Sequence, residues 1–140
     1  MREERLFLIL MGAYNAHTNA SRIQFNNLGL SDGQPKILYT LRRAPGIVQK
    51  ELAEICGIRP STLTVLLNKM EREDLIYKVS CHVSGGKKAF QIHLTEQGSE
   101  QAKRLDVVVD KLDEQGLAGF SDEETKTLFS LLERVEKNML

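Results

Sequence analysis

Gln49-Lys50-Glu51-Leu52-Ala53-Glu54-Ile55-Cys56-Gly57 runs through Ile58 and Arg59 into Pro60-Ser61-Thr62-Leu63-Thr64-Val65-Leu66-Leu67-Asn68-Lys69-Met70-Glu71. Two short apolar-periodic segments meet at a glycine, the pattern of a helix-turn-helix, whose second helix lies in a DNA major groove. Small Ala53 lets two helices cross closely, and Gly57 leaves the first helix without Cβ strain. Leu63, Leu66, Leu67 and Met70 share one helical face and would pin the second helix to a core. The other face carries Ser61, Thr62, Thr64, Val65, Asn68 and Lys69, short or polar side chains suited to reading a groove. The pattern implies double-stranded DNA as partner.

Downstream, Ile76–Cys81 and Ala89–Leu94 alternate at period two, with Phe90, Ile92 and Leu94 expected to face inward. Gly85-Gly86 between them supplies a positive-φ hairpin turn, a wing beside the second helix. Upstream, residues 3–25 read as a helix with Leu6, Ile9, Leu10, Ala13, Tyr14 and His17 on one stripe. Asn26-Asn27-Leu28-Gly29 ends it. Ser31 with Gln34 suggests a capping box for a further helix through Arg43, with Pro35 slightly awkward in its first turn, and Ala44-Pro45-Gly46 stops that helix. A long helix is expected from Thr95 to about Gly116. Ser121 with Glu124 opens a last one, striped by Leu128, Leu131, Leu132, Val135 and Met139.

The fold class is therefore mainly α with a small β-hairpin wing. Residues 1–140 form one domain, with a winged helix-turn-helix lobe at 31–97 and helical dimerisation regions at 1–30 and 98–140. The end helices cannot easily fold back over a lobe that the wing completes, so a homodimer with a shared two-fold interface is expected.

The 140 residues carry no formal net charge, at first sight an objection to nucleic-acid binding. Between residues 36 and 95, however, ten cations face five anions, a net of +5, whereas residues 96–140 hold six cations and eleven anions, a net of −5. Only the basic middle would meet phosphates. Arg59, Lys69, Arg72, Lys87 and Lys88 are its candidate phosphate contacts, and Asn68 is a candidate for pairing an adenine edge.

Cys56 and Cys81 have no zinc-finger spacing, and two thiols without an export signal lead to the expectation of a cytoplasmic, reducing setting. Leu6–Tyr14 could pass for a signal core. Glu3 and Glu4 offset Arg2 and Arg5, and the stretch is too short to span a bilayer, so it reads as a buried amphipathic helix and no membrane partner is expected. Cys56 reads as buried and inert. Cys81, flanked by Lys78 and His82, is the redox candidate, without an evident resolving thiol. His82 and His93 read as exposed wing residues. No metal or cofactor is expected. Gly85-Gly86-Lys87-Lys88 lacks the spacing of a phosphate loop, and no nucleophile elbow or carboxylate pair suggests an enzyme.

The order of elements resembles the MarR-type (multiple antibiotic resistance regulator) winged-helix family over nearly the whole chain. The resemblance is densest at Leu52-Ala53-Glu54, Gly57-Ile58-Arg59-Pro60-Ser61-Thr62-Leu63, Leu75-Ile76 and Leu94-Thr95-Glu96-Gln97-Gly98. It implies a dimeric transcription regulator on a pseudo-palindromic site, often a repressor released by a small aromatic effector or by cysteine oxidation. It also implies an effector pocket, for which Tyr14, His17, Tyr39 and Arg43 are candidates, with core packing the competing reading of both tyrosines. Three positions depart from the family pattern: Arg59 replaces a serine, Val65 replaces a basic residue, and the wing tip lacks an Asp-x-Arg element. The alternative function is a dimeric winged-helix adaptor that binds protein and no specific DNA.

Overall fold

The spacing rules that predict helices in this chain hold at most of their boundaries in the computed structural model, which describes residues 4–140. Helix α1 spans Leu6–Asn27 and ends at Leu28 with Gly29 at φ 77°. The expected start at residue 3 lies outside the described residues. Helix α2 (Gln34–Arg43) is N-capped by Gly33 at φ 88°, and no side chain caps it. The capping box expected of Ser31 and Gln34 is thus corrected to half a box. Gln34 Oε1 accepts from the Ser31 amide at 3.0 Å, while Ser31 Oγ, too far upstream to cap, accepts from Lys69 Nζ at 3.3 Å. Pro35 fits at the second helical position, where an N–H would have no intrahelical partner.

Strand β1 (Ile47–Val48) leads directly into α3 (Gln49–Cys56), which ends at Gly57 in the left-handed conformation, φ 62°. Helix α4 (Pro60–Arg72) follows, with β2 (Ile76–His82), β3 (Lys88–Leu94), α5 (Glu96–Gly116) and α6 (Asp122–Met139). The sheet is antiparallel in the order β1-β3-β2, so the wing has a third strand at its base that the sequence reading lacked. Two residues are too few to show period-two alternation. The register pairs Ile47 with Ile92 and Ile76 with Leu94.

The core gathers Leu30, Ile37, Leu38, Leu41, Leu52, Leu63, Leu67, Met70, Ile76, Ile92 and Leu105, all essentially without solvent contact. Phe90 is a correction: it shares the face of Ile92, but opposite Ser80 it lies out along the hairpin, past the core, and is 38% exposed. Helix α5 is joined to the lobe at its first turn. Thr95 Oγ1 accepts from the Gly98 amide at 3.0 Å and donates to the Asp74 carbonyl, and the Thr95 amide donates to the Leu75 carbonyl. Gly98 sits so close to the Leu75 carbonyl that an added Cβ would lie 1.9 Å from its oxygen.

The end helices differ from expectation in one respect. The stretch Leu6–Tyr14, read as buried, is open to solvent in the single chain, Phe7 at 71% and Tyr14 at 67%. Only Ser21 of α1 is buried, and α6, with a complete Ser121–Glu124 capping box, buries nothing. No helix among the described residues is long and apolar enough to cross a membrane.

Candidate nucleic-acid interface

Helix α4 is fixed by Leu63, Leu67 and Met70, each fully buried, and this anchoring sets the direction of its opposite face. Ser61, Thr62, Thr64, Val65, Asn68, Lys69 and Arg72 are exposed, as is Arg59 at the N-cap. Ser61, Val65, Asn68 and Arg72 recur at four-, three- and four-residue steps, one stripe along the helix. Arg59 gives no side-chain cap, as its chemistry requires, so the α4 N-terminus keeps unpaired amides beside an exposed guanidinium. On the wing, Lys87 and Lys88 are exposed beside the turn made by Gly85 and Gly86, both at positive φ, and Lys88 Nζ lies 5.7 Å from the Phe90 ring centroid.

Two residues absent from the expected site are hydrogen-bonded to members of it. Lys78 on β2, half-buried, donates from Nζ to Asn68 Oδ1 at 2.8 Å. Gln49 at the start of α3 donates from Nε2 to Thr64 Oγ1 at 3.2 Å, and Thr64 Oγ1 donates to the Pro60 carbonyl. Strand alternation carried the signal for Lys78, because period two places it on the face of Ile76, toward α4. Gln49 had no comparable mark.

The basic middle is less available than its count suggests. Arg42 and Arg43, at the end of α2, both pair with Asp106 of α5, and Arg43 also stacks over the Tyr39 ring at 3.4 Å.

A groove of about 750 Å³ opens between α1, α2 and α5. Tyr14, His17 and Tyr39 line it, together with Phe25, Ser31 and Cys56. Arg43 does not. Its guanidinium is drawn to Asp106, which corrects its place among the pocket residues. Tyr14 and Tyr39 are exposed groove walls rather than core. Cys56 is buried, its Sγ 3.5 Å from Thr40 Oγ1 and 3.7 Å from the Lys36 carbonyl. Cys81, half-exposed on β2, pairs in register with Ala89, and both cysteines are free thiols.

His93 is not a free wing residue as expected: it stacks on Tyr77 with centroids 5.1 Å apart and backs against Gly46. Its place at the base of the hairpin explains the difference. Among the described residues no three His, Cys, Asp or Glu side chains come together as a metal set.

A sequence model of the MarR family matches residues 30–84. Over 119 residues the chain is 33% identical to YybA of Bacillus subtilis (strain 168), an uncharacterized HTH-type transcriptional regulator; the match covers 85% of this chain and 78% of that protein. The fold is similar to that of Staphylococcus aureus MepR in a DNA complex, with a TM-score of 0.83 at 18% identity over 97% of this chain and 99% of that one. It is also similar to the PcaV transcriptional regulator of Streptomyces coelicolor in complex with its natural ligand. There the TM-score is 0.76 at 22% identity, with all of both chains covered.

Proposed function

The chain belongs to the MarR family of transcription regulators, and from that premise we propose that it represses transcription as a homodimer on a pseudo-palindromic operator. The observation that carries this reading is the division of α4 into a fully buried apolar face and an exposed face of Ser61, Thr62, Thr64, Val65, Asn68, Lys69 and Arg72. Such a helix is held rigidly while its groove-facing side stays free. Lys87 and Lys88 on the wing add phosphate contacts without base information.

The dimer is supported by the apolar side chains that α1 and α6 leave open: Leu6, Phe7, Ile9, Phe129, Leu131 and Leu132 are all exposed in one chain. A two-fold axis through these helices would cover them and set two α4 helices about one DNA turn, ~34 Å, apart. Residues 1–30 and 98–140 are the dimerisation regions in this reading.

The groove beside α1 is the proposed effector site, and its aromatic walls suit a small aromatic molecule. Its rim is bonded to the recognition helix. Ser31 accepts from Lys69, and buried Gln34 donates to Glu73, the C-terminal cap of α4, at 2.8 Å. A ligand that displaces residues 31–34 would move α4 and spoil the half-site spacing, releasing DNA.

Fluorescence anisotropy tests the reading, with the purified protein on the DNA upstream of its own gene and a scrambled duplex beside it, across a salt series. Tight, salt-dependent preference for the upstream duplex is expected. Failure to bind any duplex at low salt would return the dimeric adaptor as the better account.

A further inference from the structure

Asn68 is the exposed α4 side chain best equipped for a two-point contact with a base edge, since a carboxamide offers both an acceptor and a donor. An unrestrained carboxamide in the groove suits adenine, giving its oxygen to N6–H and its amide to N7. In this chain the carboxamide is restrained. Lys78 Nζ lies 2.8 Å from Asn68 Oδ1. An ammonium can only donate, so chemistry as well as distance identifies the atom facing it as the oxygen. The Asn68 Nδ2 has no hydrogen-bond partner among the described residues, and the side chain is exposed on the outward stripe. What Asn68 offers is an amide group with two donors, next to a positive charge.

We propose that Lys78 is a specificity-determining residue that holds the Asn68 oxygen and makes Asn68 a reader of guanine rather than adenine. Guanine presents two adjacent acceptors, N7 and O6, which match two amide hydrogens and are attracted by the nearby ammonium. Adenine presents N6–H₂ where guanine has O6. That donor would have to share an oxygen already taken by Lys78, and it faces the same positive charge. Lys78 reaches Asn68 from the wing, so the base preference of α4 depends on the position of β2. The inference rests on the proposed reading of α4 as the groove helix.

The test is enrichment of a randomised duplex pool by the full-length protein and by Asn68→Ala, Lys78→Met, Lys78→Arg and the double variant Asn68→Ala/Lys78→Met. Lys78→Met keeps most of the aliphatic stem against the sheet, and Lys78→Arg keeps the charge, so either checks the other for misfolding. Wild type should show a guanine whose preference is lost in Asn68→Ala. Lys78→Met should shift that single position toward adenine, by about tenfold in relative affinity, and leave the rest of the site unchanged. Lys78→Arg should preserve guanine, and the double variant should behave as Asn68→Ala.

Uniform weakening by Lys78→Met with the guanine retained would make Lys78 a phosphate contact and overturn the inference alone. So would an adenine at the Asn68-dependent position in wild type. A wild type that enriches no sequence would overturn both this inference and the sequence-specific reading beneath it.

Discussion

Replacing Gly98 by alanine places two rules of helix energetics in opposition, and the structure decides which wins. In an unobstructed helix, Gly→Ala stabilises by up to about 1 kcal/mol. At Gly98 the new Cβ would sit 1.9 Å from the Leu75 carbonyl oxygen and 2.9 Å from its carbon. Backbone cannot rotate aside as a side chain can, so α5 and the α4–β2 turn must separate by roughly an ångström, an overpacking that costs about 1–3 kcal/mol. The same separation pulls on the Thr95 amide bond to Leu75, 3.1 Å, and on the Thr95 hydroxyl bond to Asp74, 2.6 Å. At about 1 kcal/mol each, these raise the loss further. The net expectation is a destabilisation of about 3 kcal/mol, which for a chain of this size lowers Tm by about 10 °C.

The control lies in the same helix. Gly116 has nothing within 4 Å of a built Cβ, so Gly116→Ala should be neutral or raise Tm by a few degrees. Thermal melts followed by circular dichroism at one fixed protein concentration, since association shifts Tm, make the comparison. If Gly98→Ala melts with or above Gly116→Ala, the close approach of α5 to Leu75 is not a constraint of the fold.

Other expectations are briefer. Asn68→Ala should reduce the spread of affinities among related duplexes while barely changing the salt dependence; Lys87→Ala should weaken all duplexes alike and lower the salt slope by about one per half-site, and identical behaviour would refute the division into readers and phosphate contacts. Asp106→Ala should cost no more than about 1 kcal/mol by denaturant titration, because Arg42 and Arg43 remain 39% and 48% exposed; a loss above about 3 kcal/mol would make the cluster a core element. An alkylating reagent followed by peptide mass mapping should label Cys81 before Cys56, which is 7% exposed and reacts only on opening of the lobe; the reverse order would point to a groove that admits reagents to Cys56.

Much of this fold was legible because its governing interactions are local. Gly57, Ser121 with Glu124, and the Leu63–Leu67–Met70 face are set by residues within a few positions of one another, and the structure follows them. Ser31 with Gln34 fits the same motif and forms only half of it, because Gly33 takes the helix start and the Ser31 hydroxyl is drawn to Lys69 of α4 at the surface. Period two gave the correct face to Phe90 but says nothing of where the core ends along a strand. The groove was legible in part: Tyr14, His17 and Tyr39 belong to it, while Arg43 was lost to an anion 63 positions away that no spacing rule connects to it. Lys78 on Asn68 and Gln34 on Glu73 are likewise bridges between distant elements. Sequence patterns mark faces, and these bridges depend on how the faces are docked.

The docking also changes what charge counting predicts. Residues 36–95 hold ten cations, but Arg42 and Arg43 are committed to Asp106 and Lys78 to the Asn68 oxygen. Lys36 on α2 lines the groove. Lys50 on α3 and Arg59, Lys69, Arg72, Lys87 and Lys88 along α4 and the wing remain exposed, and Lys69 has only a 3.3 Å bond to Ser31 to give up. Each phosphate neutralised on duplex DNA contributes about −0.9 to the slope of log K against log salt. Six contacts in each of two protomers therefore limit the slope to about −11. If Arg42, Arg43 and Lys78 left their partners for phosphate, the limit would steepen to about −16. Anisotropy titrations from low to physiological salt distinguish the two. A slope beyond about −13 would mean that DNA breaks the Asp106 cluster or the Lys78–Asn68 bond, and the arrangement of the free protein would no longer describe the reading surface.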